Sequence, residues 1–85
     1  MISMEESKAE ILKALGLLIR HHRASMGISQ EELGLRCNLD RTYISGLERG
    51  VRNPSLTALV TLANGLNITV SKLLENLEVE TRSIK

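Results

Sequence analysis

Apolar residues at Ile11, Leu12, Leu15, Leu18, Ile19 and Met26 recur with a helical period, predicting a long first helix from about Ser7 to Ala24. Ser7 with Glu10 fits a capping box at its start, and Gly27 ends the segment. Ser29 with Glu32 forms a second box, in which the serine oxygen accepts an orphan N–H and the glutamate reaches back. It opens a helix from about Gln30 to Arg36 with Leu33 turned inward. Asn38 follows, in "CNLD"; asparagine tolerates the left-handed conformation and can turn the chain sharply. Asp40 stands at the N-cap of a third helix that runs to about Arg49 and stops at Gly50. "VRNPS" is a loop whose Ser55 caps a fourth helix, residues 56–65, with Leu56, Leu59, Val60, Leu62 and Ala63 as its apolar face. Thr69 caps a short fifth helix through Leu74, and residues 75–85 read as a polar tail. The expectation is one all-α domain of five helices around an aliphatic core.

Composition narrows this further. Eighty-five residues leave no room for a second core. A chain this short buries only about 60% of its unfolded surface, so it gains from self-association. With 42% hydrophobic residues and a single aromatic, Tyr43, the core must be built from Leu, Ile, Val and Ala, which suits helices packed on helices. Cys37 is the only cysteine, which excludes an internal disulfide and makes it a small buried hydrophobe. No apolar run approaches the roughly 20 residues that span a bilayer, and "MISMEESKAE" is unlike a secretory signal. These features point to a cytoplasmic protein with no membrane association. The net charge of +1 is uninformative, but residues 19–55 hold six arginines against four acids. Arginine is the side chain whose fork suits phosphate and guanine.

The third helix, "DRTYISGLERG", explains where some of those arginines go. At about 100° per residue, Ile44 and Leu47 define its buried side. Arg41, Thr42, Ser45, Gly46 and Arg49 cluster opposite, with Tyr43 and Glu48 on the flanks. A long cation and two hydroxyls on a face without bulk are the groups that read base edges. Gln30, at the start of the preceding helix, offers an amide and nearby N–H groups to a phosphate. Two short helices joined by a tight turn, the second exposing such a face, describe a helix-turn-helix over residues 30–49.

"SQEELGLRCNLDRTYISGLERG" followed by "RNPSLTALVTLANGLNITVSKLLE" closely resembles the lambda-repressor-like Cro/XRE family of DNA-binding domains across residues 19–74. Within it, "DRTYISGLERG" is most similar to the controller proteins of restriction-modification systems and to some small phage or host repressors. By position, the resemblance implies that Gln30 clamps a phosphate, Arg41 and Thr42 read bases with Ser45 one turn on, and Arg49 and Asn53 hold the DNA backbone. It implies that Tyr43 approaches the DNA, although a half-buried flank residue is the plainer reading of that tyrosine. It also implies a partly buried salt bridge between Arg23 and Glu48. Gly34 stands where the family prefers alanine and Asn38 replaces the usual turn glycine; Gly34 should cost about 1 kcal/mol of helix propensity.

Other chemistries find little support. Adjacent His21 and His22 point about 100° apart on a helix and have no spaced partner, so no metal is expected. No nucleophile, base and orienter combination, phosphate-cradling loop or cofactor motif suggests an enzyme, and no small-molecule ligand is expected. The competing reading is an antitoxin or adaptor that uses the same scaffold mainly to bind protein. One recognition helix reads few base pairs, so a homodimer on a pseudo-palindromic double-stranded operator is expected, with Leu73, Leu74 and Leu77 as its contact.

Overall fold

A computed structural model describes residues 4–84, with side chains from residue 7. Helices occur at Met4–Ser25 (α1), Gln30–Cys37 (α2), Arg41–Glu48 (α3), Leu56–Gly65 (α4), Val70–Leu74 (α5) and Leu77–Ser83 (α6). Among the described residues there is no strand. Each of α2 to α5 begins at a side-chain cap. Ser29, Asp40, Ser55 and Thr69 accept the N–H groups of Glu32, Thr42, Ala58 and Lys72, each satisfying a donor the helix itself cannot.

The start of α1 and the end of the chain depart from the sequence reading. α1 begins at Met4, so Ser7 lies inside it rather than capping it. In the Ser29 box only the serine half forms. Glu32 turns instead toward Arg36, one helical turn on, with Arg36 Nε 3.3 Å from Glu32 Oε2. Residues 77–83 form α6 in place of a tail, because Leu77 packs against the core and α6 lies along α1. Thr81 Oγ1 donates to the Leu77 carbonyl within that helix at 2.7 Å.

α1 runs beneath α3, α5 and α6, while α2 bridges α3 and α4. The core is aliphatic: Leu15, Ile19, Leu33, Ile44, Leu47, Leu62, Ala63, Leu66 and Leu73 are buried together with Cys37. Burial raises the Cys37 thiol pKa, keeping it protonated, and its Sγ lies 3.5 Å from the Thr61 carbonyl. α4 contributes less to this core than its sequence implies. Leu62 and Ala63 face in, but Leu56 and Val60, four residues apart, share an outward stripe and are 71% and 44% exposed.

Candidate nucleic-acid interface

The turn between α2 and α3 is set by two residues. Asn38 takes the left-handed conformation, φ 55° and ψ 42°, and ends α2. The Leu39 N–H then donates to the Gly34 carbonyl at 2.9 Å. A methyl group on Gly34 would stand 2.6 Å from the Leu39 carbonyl oxygen. Where the family prefers alanine, the turn must sit slightly farther from α2; in this chain glycine lets the Leu39 carbonyl approach closely, which offsets its low helix propensity.

α3 is held at its start by Asp40, whose Oδ1 accepts from both the Thr42 N–H (2.8 Å) and the Thr42 hydroxyl (2.7 Å). The Thr42 hydroxyl holds the Asp40 carboxyl below its ordinary pKa, helped by the Thr42 N–H. Thr42 thus has its hydroxyl proton engaged, and its side chain stands exposed beside Arg41. Ile44 and Leu47 are fully buried on the opposite side. Ser45 is half-buried, and Arg49 is exposed just beyond the helix. Tyr43 is half-buried against the core on the flank. Asn53 lies exposed in the following loop.

Gly46 is the exception on the polar face: it is buried, because the Arg52 side chain lies across it. In the sequence Arg52 is visible only as a member of the arginine-rich block, because its packing on Gly46 is not a local property.

The orientation of α3 is set by one carboxylate. Glu48 Oε2 accepts from Arg23 Nε at 2.6 Å, and Oε1 accepts from Arg23 Nη2 at 3.0 Å. Gln30 Nε2 donates to the same Oε1 at 3.1 Å, and Arg23 Nη1 donates to the Ile28 carbonyl at 2.8 Å. The side chains of Arg23 and Glu48 are 15% and 4% exposed, and the hydrogen bond to Glu48 raises the arginine pKa. α1, the α1–α2 loop, α2 and α3 therefore meet at Glu48. Gln30 uses one amide hydrogen there; its second, beside the N-terminus of α2, has no acceptor among the described residues. Gly16, which belongs to none of the motifs in the sequence, completes this junction. A methyl group there would lie 2.5 Å from the carbonyl oxygens of Leu47 and Glu48, so α1 touches the end of α3 directly. A lone glycine within a helical pattern was the available signal.

Leu73, Leu74 and Leu77 do not form an exposed patch. Leu73 is fully buried and belongs to the core, which removes it from any subunit contact, and Leu74 and Leu77 are half-buried against the same core. Exposed large apolar side chains lie at Val51 (61%), Leu56 and Val60, on and before α4, and also at Ile11 and Leu17 on α1, Leu35 on α2 and Val79 on α6. His21 and His22 stack edge to face at 5.4 Å, and burial lowers the His22 pKa, with His21 and Lys72 adding to it. Among the described residues no three His, Cys, Asp or Glu side chains converge to hold a metal, and no helix is long and apolar enough to cross a membrane.

Residues 19–79 match the family described as helix-turn-helix. The chain belongs to the Cro/XRE-type helix-turn-helix family. It is similar to the control protein C.SmaI of Serratia marcescens, 42% identical over 65 residues that cover 76% of this chain and 77% of that one. The crystal structure of the restriction-modification controller protein C.AhdI from Aeromonas hydrophila superimposes with a TM-score of 0.72 at 42% identity, over 73% of this chain and 94% of that one. The controller protein C.Esp1396I, solved as a tetramer on its natural 35 base-pair operator, superimposes with a TM-score of 0.76 at 36% identity, covering 85% and 95% of the two chains.

Proposed function

We propose that this protein is a sequence-specific DNA-binding transcriptional regulator, a controller of a restriction-modification system, that binds a pseudo-palindromic operator as a homodimer. The observation that carries the reading is the outward face of α3. Arg41, Thr42 and Ser45 stand on one side of a helix whose other side is locked into the core. Arg41 reads a guanine through N7 and O6, and Thr42 and Ser45 complete the base readout. Gln30, Tyr43, Arg49 and Asn53 hold the phosphates on either side. The similarity to controller proteins, one of them solved on its operator, supports the same reading. The protein acts in the cytoplasm as a regulator rather than an enzyme, and needs no cofactor or small-molecule ligand.

Two half-sites need two copies. Leu74 and Leu77 are largely spent on the monomer's own core, so the subunit contact is assigned to Val51, Leu56 and Val60. Binding two half-sites one turn of B-DNA apart requires the dimer to hold its recognition helices about 34 Å apart. Against an antitoxin or adaptor stands the α3 face, where this chain presents cations and hydroxyls in place of the aromatic and aliphatic anchors that protein interfaces favour. The test is a mobility-shift assay with fragments of the source genome. Retention of a single fragment beside methyltransferase and endonuclease genes supports the proposal; equal, weak retention of all fragments contradicts it.

A further inference from the structure

The only hydroxyl proton of Thr42 is engaged inside the protein. Thr42 Oγ1 donates it to Asp40 Oδ1 at 2.7 Å, and the Thr42 N–H donates to the same oxygen at 2.8 Å. The direction of the hydroxyl bond is fixed, because an ionised carboxylate accepts and does not donate. The charge on the acceptor also makes it a strong bond. These two bonds hold the Asp40 carboxyl below its ordinary pKa, so at neutral pH it stays ionised and keeps accepting. A threonine hydroxyl has one proton and two lone pairs. With the proton turned to Asp40, Oγ1 offers only lone pairs to anything outside. Asp40 and Thr42 are both exposed at the start of α3, the end of a recognition helix that meets base edges.

In the major groove that polarity selects a class of base. Adenine N6 and cytosine N4 present amine hydrogens there, whereas guanine O6 and thymine O4 present acceptors. We propose that Asp40 fixes Thr42 as a hydrogen-bond acceptor, so that Thr42 reads an amine-bearing base, adenine or cytosine, and rejects guanine and thymine. This rests on the DNA-binding reading above. A guanine or thymine at that place would set oxygen against oxygen with no proton between them unless the bond to Asp40 broke. Every base pair carries one amine and one carbonyl in the major groove, so the choice fixes which strand holds which. Asp40 is thus a positioning residue for base choice as well as a helix cap.

The test is a base-substitution series read by fluorescence anisotropy at fixed salt, with wild type, Thr42→Val and Asp40→Ser. Serine caps a helix about as well as aspartate, but its hydroxyl can donate as well as accept, which releases the Thr42 proton. The probes are the duplex that wild type selects from a random library and versions of it with each base pair replaced in turn. The pair that Thr42 meets is the one at which Thr42→Val loses discrimination. There, wild type is expected to favour adenine or cytosine over guanine or thymine on one strand by about tenfold. Asp40→Ser is expected to bind the two classes almost equally at that pair, with discrimination at every other pair and the melting temperature close to wild type. A cap with a structural role alone would weaken all duplexes equally and leave the profile unmoved, which overturns the proposal. A wild-type preference for guanine or thymine at that pair overturns it as well, even should Asp40→Ser not fold. So does a Thr42→Val variant that loses discrimination at no pair. Wild type that selects no duplex defeats the DNA-binding reading itself, a separate result from variants that match a working wild type.

Discussion

Glu48 accepts hydrogen bonds from Arg23 through both carboxylate oxygens and from Gln30 through one of them, so a single side chain joins α1, α2 and α3. Glu48→Ala leaves Arg23 largely buried with only the Ile28 carbonyl as partner. Breaking such a pair typically costs about 3–5 kcal/mol, and the partial exposure of Arg23 places this case near the lower end. A urea melt should show a clearly lower midpoint with an unchanged slope. A loss within about 1 kcal/mol would mean the pair behaves as a surface bridge.

Gly34→Ala sets two effects against each other. Helix propensity favours alanine by about 1 kcal/mol. Against that, the added methyl meets the Leu39 carbonyl at 2.6 Å, and backbone atoms on both sides must move. The steric term wins, so thermal unfolding should shift to lower temperature. A raised melting temperature would show that the α2–α3 turn relaxes without cost.

The Asp40 cap gives a pH dependence. Its folded pKa is depressed below the ordinary 3.8 by the hydroxyl and N–H of Thr42. The carboxylate form therefore stabilises the fold in full above the ordinary value, and that contribution fades as pH falls through the depressed one. Asp40→Ala should melt below wild type at neutral pH, with the gap narrowing as the solution is acidified below 3.8. Parallel melting curves at every pH would contradict the cap.

Leu56→Glu should convert dimers to monomers in sedimentation at micromolar concentration, leaving the helical circular dichroism intact. Leu77→Glu should instead lower stability, since Leu77 packs on the core. The reverse outcome would return the subunit contact to the end of the chain.

Elements defined by local chemistry were legible in the sequence. Ser29, Asp40, Ser55 and Thr69 each cap a helix through a bond within three residues, and Asn38 turns the chain by its own backbone preference. What depends on distant packing was not. α6 starts at Asn76 without a side-chain cap and is held by α1, so its own residues announce little. Leu56 and Val60 could not be told from Leu62 and Ala63, because α4 is apolar on most sides. Leu73, expected at the subunit contact, is fully buried in the core, a placement that no local pattern distinguishes from that of Leu74 or Leu77. On the binding face, Arg41, Thr42 and Arg49 follow from helical geometry, whereas the burial of Gly46 depends on an arginine six residues later.

The most direct test of base reading by α3 is operator discrimination by wild type and Arg41→Ala. Each is titrated against the selected operator and against versions with one base pair changed, at fixed salt. Arg41→Ala should lose about 1–3 kcal/mol on the operator and become indifferent at one G·C pair per half-site, with discrimination elsewhere retained. Unchanged discrimination at every position, or an equal loss on all sequences, would contradict the assignment of Arg41 as a base reader.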